Sequence, residues 1–194
     1  EKKVSTATSR VEHAQIAATL DGMNLSPVHV ASWCAIGAGV TVEIGDVRVD
    51  PFSVPHDAAD PLGFVLTGEG VRVGVVLDLG HATTLVVERL RGCHAMLVES
   101  NHDDRMLMEG PYPWPLKQRI GGRMGHLSNA EAGALLARAA DDECRAVILA
   151  HLSERNNTPA LARAAASSAL AAAGRRRYDM RVADPRRPSA PVTL

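Results

Sequence analysis

The hydrophobic pattern changes character halfway along this chain. Across residues 40–44, 47–54, 62–67 and 71–77, β-branched side chains fall in short runs separated by glycine or polar breaks. Runs of this length rich in Val, Ile and Phe predict strands. Gly68-Glu69-Gly70, between the last two runs, predicts a hairpin turn. Ahead of them, residues 3–8 read as a strand and residues 9–20 as a helix with Val11, Ala14, Ile16 and Ala18 as its apolar positions. After Asp78 the pattern alternates. Helices are predicted over 84–91 and 103–109, in a short stretch ending at Ile120, over 128–140, and from Pro159 to Gly174. Strands are predicted over 95–99, 146–150 and 178–183. Ser128 with Glu131 three residues on forms a capping box, and Pro159 with Gly174 gives a start and a stop. Strand, helix, strand order points to an α/β layered fold.

Composition narrows the class without naming a function. The 194 residues are 46% hydrophobic and 22% charged, as in an ordinary globular domain. No apolar run nears the ~18 residues that span a bilayer, so no membrane partner is expected. The net charge is −1, so polyanion binding has to come from local patches. Cys34, Cys93 and Cys144 are odd in number and far apart, which fits reduced thiols and a cytoplasmic location better than a disulfide framework. Residues 184–194 form a Pro/Arg tail to what reads as one domain over 1–194.

The chemistry gathers where apolar runs stop. His-Leu-Ser occurs at His126 and again at His151, once before a predicted helix and once after a predicted strand. Val75-Val76-Leu77-Asp78 and Met96-Leu97-Val98-Glu99 are buried-looking strands that each end in a carboxylate. A charge at such a position is costly unless it is paired or metal-bound. His56 sits in an acidic loop after the second run, and the hairpin between returns the chain to the same rim, so His56 and Asp78 can meet. Acid and imidazole together suit a divalent metal. Each residue also has a plainer reading: His56 as a loop cap, Asp78 as a helix N-cap, and His126 as a contact at the start of a helix. His102 reads as a loop hydrogen-bonder, and His81 and His94 as structural. Lys117, Arg119 and Arg123 form a basic cluster that can grip phosphates or simply face solvent. Tyr112 and Trp114, in a proline-rich segment, can stack on bases or pack over the core. Arg175 to Arg177, Arg186 and Arg187 read as solvated charge.

The motifs taken together resemble the metallo-β-lactamase fold, and within it the YycJ-type (WalJ-type) bacterial nucleases. They are Val54-Pro55-His56-Asp57-Ala58-Ala59-Asp60-Pro61, Glu99-Ser100-Asn101-His102-Asp103, Gly110-Pro111-Tyr112-Pro113-Trp114, Leu116-Lys117-Gln118-Arg119-Ile120, Gly125-His126-Leu127-Ser128-Asn129 and His151-Leu152-Ser153-Glu154-Arg155-Asn156-Asn157. The resemblance implies an α/β fold, the αββα sandwich. It implies metal ligands at His56, Asp78 and His151, with Asp78 bridging. By similarity to ribonuclease Z enzymes, it implies a proton-donating pair at Glu99 and His126. Asp78, Glu99 and His126 would thus be catalytic, and Lys117, Arg119, Arg123, Trp114 and Asn156 would bind substrate. The implied activity is metal-dependent phosphodiester hydrolysis, namely 5′→3′ DNA exonuclease activity, with two divalent ions (Zn or Mn) in the complete protein.

One departure is plain. The family's first metal motif, His-x-His-x-Asp-His, is not in the sequence, and His13 and His29 lack its spacing. The family places that motif before a segment like Val4-Ser5-Thr6-Ala7-Thr8, so the expectation is an N-terminally incomplete chain holding one ion or none. Two other readings stay open: a hydrolase of a small molecule on the same fold, since fold does not fix substrate, and an inactive remnant.

Overall fold

The structure, a computed structural model, describes residues 36–175 and 177–194. The strand and helix expected over 3–8 and 9–20, together with His13, His29, Cys34 and Arg176, lie outside the described residues. Gly37–Leu194 forms one compact unit.

The described residues build one seven-stranded sheet whose spatial order follows the chain: β1 (Val42–Ile44), β2 (Val47–Ser53), β3 (Leu62–Gly68), β4 (Val71–Val76), β5 (Ala95–Glu99), β6 (Ala146–Ala150) and β7 (Asp179–Val182). The first four strands are antiparallel; tight turns at Gly45 and Gly70 join β1 to β2 and β3 to β4, while the longer loop 54–61, which carries His56, joins β2 to β3. From β4 onward every pairing is parallel. Each parallel step needs a crossover, and helices supply it: α1 (Thr84–Leu90) between β4 and β5, α4 (Asn129–Ala139) before β6, and α5 (Pro159–Ala172) before β7. Two shorter helices, α2 (Asp104–Glu109) and α3 (Trp114–Ile120), lie in the long excursion after β5. β1 occupies the last three residues of its predicted run 40–44, and every other strand matches its run to within one residue at each end.

Alternation along the strands sorts the two faces of the sheet. Val76, Met96, Val98, Val147 and Leu149 join one hydrophobic cluster with Val86, Val87 and Leu90 of α1, Leu135 and Leu136 of α4, and Leu170 of α5. The intervening Val75, Leu97 and Ile148 are only half-buried. The helical layer therefore covers one face. In α4 the buried positions Ala132, Leu135, Leu136 and Ala139 repeat at the spacing of one helix face. Its start is fixed by the expected capping box: Ser128 accepts from the Glu131 amide, and the Glu131 carboxylate accepts from the Ser128 amide.

The helices α4 and α5 approach closely because their facing residues are small. A Cβ on Gly133 would stand 3.0 Å from the Ala169 methyl and 3.2 Å from the Ala165 carbonyl oxygen. Overpacking such a contact costs about 1–3 kcal/mol. Gly133→Leu is therefore expected to lower the unfolding free energy by that amount, read as a lower urea midpoint. An unchanged midpoint would show that the two helices can separate freely.

Candidate metal centre

Parallel pairing puts the carboxyl ends of β4, β5 and β6 on one rim. Val76 is level with Val98, and Glu99 is level with Ala150. Asp78 follows β4 by two residues, Glu99 ends β5, and His151 is the first residue after β6. Asp78 and His151 both turn the chain through left-handed backbone, with φ of 51° and 58°. Asp, Asn and His tolerate that region better than most side chains, though at some cost. The rim thus gathers three groups from three neighbouring strand ends, as the strand-end carboxylates suggested.

His126 reaches the same point from the loop ahead of α4. One oxygen each from Asp78 and Glu99 and one ring nitrogen each from His126 and His151 lie within 4.8 Å of one another. The centre of this group is the Glu99 carboxylate, which is fully buried. Its Oε2 accepts from the Leu79 amide at 2.9 Å and the Leu127 amide at 3.1 Å. Its Oε1 accepts from His126 Nδ1 at 2.8 Å and from His151 Nδ1 at 2.6 Å. Burial alone pushes the carboxyl pKa up, but the two imidazoles and the Leu79 amide more than offset it and hold it at about 2. The same bond to Glu99 raises the pKa of His151. Asp78 stands at the outer edge, half-exposed, 3.3 Å from His151 Nδ1 and 3.7 Å from His126 Nδ1.

His56 belongs to the cluster without being one of its four donors. Its ring lies 5.0 Å from that of His126, which in turn lies 5.1 Å from that of His151. Its Nδ1 is 2.9 Å from the Gly125 carbonyl oxygen. A carbonyl only accepts, so Nδ1 donates there, and Nε2 faces Asp57 Oδ1 at 3.4 Å. The donor set of two carboxylates and two imidazoles suits a divalent metal.

The plainer readings of two residues are not what the structure contains. Thr83, not Asp78, caps α1, and Ser128, not His126, caps α4. Glu99 is also shared: it binds His151 as closely as His126, where the sequence had coupled it to His126 alone.

The expected substrate residues are dispersed. Lys117 Nζ donates to the Met108 carbonyl at 2.6 Å, Arg119 pairs with Asp57, and Arg123 lies 3.0 Å from His81 Nε2. Each cation has a protein partner, and Arg119 and Arg123 tie residues 119–123 to Asp57 and His81. Gly80 allows this, since a Cβ there would collide with the Arg123 carbonyl. Trp114 is 57% exposed, but Asn156 is wholly buried, its amide atoms without partners, close against Gly110. His102, expected to hydrogen-bond in its loop, does so through its backbone, which accepts from the Asn129 amide. Its ring Nδ1 is buried without a partner. His81 and His94 bond to backbone groups of Arg123 and Arg72. Among the tail arginines, Arg175 pairs with Asp142 and Arg186 with Glu154. Cys93 and Cys144 are buried free thiols. Among the described residues no helix is long and apolar enough to cross a membrane.

Sequence reasoning missed the polar web beneath the rim. Ser100 Oγ donates to Asn129 Oδ1 at 2.6 Å, Asn129 and Asn157 exchange amide hydrogen bonds, and Asn157 also donates to the Ser100 and Asn101 carbonyls. All three side chains are buried. The available signal was membership of the motifs: each lies within one, directly after Glu99, Ser128 or Asn156.

Comparison with known proteins gives the family and the fold. The model of the beta-lactamase superfamily domain matches residues 6–152. Exodeoxyribonuclease YycJ of Bacillus anthracis is 37% identical over 126 residues, 65% of this chain and 48% of the relative. Exodeoxyribonuclease WalJ of Streptococcus pneumoniae is 32% identical over 124 residues, 64% of this chain and 46% of the relative. The chain spans about half the length of these curated relatives. The metallo-beta-lactamase fold protein YhfI from Bacillus subtilis superposes with a TM-score of 0.58 at 14% identity, covering 77% of this chain and 51% of that one. Zn(2+)-bound PqqB from Methylobacterium extorquens gives 0.55 at 20% identity, covering 89% and 60%. These two likenesses establish the fold.

The pKa shifts set a pH dependence of stability. The Glu99 pKa falls from 4.5 to about 2 on folding, so its contribution is full above 4.5 and is lost as pH falls toward 2. The His151 pKa rises above 6.5 on folding, so its contribution is full below 6.5 and is lost as pH climbs through the raised value. Urea unfolding of the metal-free protein is expected to show both limbs, and Glu99→Gln to flatten both. An acid limb unchanged in Glu99→Gln would mean that the buried carboxylate is not charged.

Proposed function

The chain belongs to the beta-lactamase superfamily, and from that premise we propose that it serves a metal-dependent phosphodiesterase acting on DNA, a 5′→3′ exonuclease. The observation that carries this reading is the converging group of Asp78, Glu99, His126 and His151 at one strand-end rim. Similarity to proteins named exodeoxyribonucleases supports DNA as the substrate.

His56, Asp78 and His151 would hold divalent metal, zinc or manganese. When bound, such an ion supplies Lewis acidity toward a phosphoryl oxygen and lowers the pKa of water. The protein's own part is proton delivery. In hydrolysis a P–O bond forms to a water oxygen, the P–O bond to the leaving group breaks, and the leaving oxygen needs a proton. His126 is the donor. Its Nδ1 is fixed on Glu99 Oε1, which leaves Nε2 as the nitrogen that gives up a proton. The buried Glu99 carboxylate, accepting from Nδ1 at 2.8 Å, holds the ring in one orientation. Lys117, Arg119 and Arg123 would contact flanking phosphates, Trp114 the bases. Asn156, buried and close to Gly110, would act by positioning that loop rather than by touching the strand.

End-labelled DNA incubated with the full-length protein and Mn(II) or Zn(II) should lose nucleotides from the 5′ end. No hydrolysis with either ion overturns the reading. His126→Ala is expected to lower turnover by about 10²–10⁴-fold with metal content unchanged; loss of metal would make His126 a ligand instead. Neutralising Lys117, Arg119 and Arg123 together should flatten the salt dependence of DNA binding, and an unchanged slope removes them from the interface.

A further inference from the structure

A cavity of about 400 Å³ opens where α2 and α3 face each other beside the rim. His102, Leu107, Met108, Trp114, Lys117 and Gly121 line it. Its size is within the range of small-ligand sites. Two large apolar side chains on its wall remain half-exposed, Trp114 at 57% and Met108 at 53%. Inside, His102 is only 2% exposed, and its Nδ1 has no partner. A buried ring nitrogen left unpaired costs stability, and native structures keep few such groups without a use. Burial lowers the His102 pKa, and a neutral imidazole offers one donor and one acceptor. Gln118 and Asp104 add an amide and a carboxylate to the wall.

We propose that this cavity takes a nucleobase of the DNA strand being cut, stacked on Trp114 and hydrogen-bonded at its edge to His102. A base is flat and carries donors and acceptors around its rim, which matches an exposed indole, a thioether and a polar wall. Position agrees. His102 follows Glu99 by three residues, at most about 11 Å of chain, so the cavity adjoins the site of phosphodiester chemistry. The bond from Lys117 Nζ to the Met108 carbonyl ties α3 to α2 and places a cation there for the phosphate beside the base. The inference rests on the nuclease reading above and extends it to a substrate contact.

Binding can be read without cleavage. The chain has two tryptophans, Trp33 and Trp114, so Trp33→Phe leaves Trp114 as the sole reporter. In the metal-free protein, deoxyadenosine 5′-monophosphate is expected to quench Trp114 emission saturably, and 2-deoxyribose 5-phosphate to leave it unchanged. By calorimetry, Trp114→Ala should weaken nucleotide binding by between about 5-fold and about 150-fold, the range for a base stacked on an aromatic ring. Gly121→Ala makes only ordinary contacts with Leu107 and His102, at 3.6 and 3.9 Å, and should fold. Gly121→Leu extends further into the cavity and should abolish the quench. Equal quenching by both probes, or by neither, overturns the pocket. So does a folded Gly121→Leu protein that binds nucleotide as before. If that variant does not fold, undiminished binding by Trp114→Ala overturns it equally. Absence of DNA hydrolysis by metal-loaded protein would remove the nuclease reading alone, with a base-dependent quench still standing.

Discussion

A single buried carboxylate organises this molecule. Glu99 closes a strand in the middle of the sheet and has no access to water. A charge so placed is tolerable only if every lone pair finds a donor. The four donors come from three segments that are remote in sequence: Leu79 in the turn after β4, His126 and Leu127 in the loop before α4, and His151, the first residue after β6. Satisfying Glu99 therefore fixes the relative positions of the segments that carry Asp78, His126 and His151. Removing one donor would leave part of the charge exposed to an apolar interior, so the arrangement resists piecemeal change.

The Ser100–Asn129–Asn157 web works one layer deeper. The loops that leave β5 and β6 have lost the pairing of the sheet, yet residues 100–102 of the first and 156–157 of the second are buried. Their backbone groups still need partners. Asn157 satisfies two carbonyls of the first loop, while the Asn101 carbonyl accepts from the Ser153 amide of the second. Irregular backbone is thereby held as firmly as strand, which a site built from loop residues requires.

Much of this was legible in the sequence. The strands could be read because β-branched runs bounded by glycine have few other solutions. The rim could be read because a carboxylate at the end of a buried strand is costly unless it is used, and both Asp78 and Glu99 stood out on that ground. What could not be read depends on how loops fold back on each other. Nothing in the spacing of His126 and His151 says that both would bind one oxygen of Glu99. Nothing local shows that Arg119 would reach Asp57, or that Asn156 would be covered while its neighbour Asn157 bonds to two loops. Those are contacts between segments tens of residues apart, decided by packing rather than by period.

Asp78 and His151 both occupy backbone where glycine would sit at ease. The chain accepts a conformational penalty at two points of its rim to project a carboxylate and an imidazole. Breeding for heat resistance without a functional screen would find these positions attractive to relax. The survivors would be sturdier and chemically silent. Stabilising this scaffold safely means holding both positions constant and seeking gains in the helical layer instead.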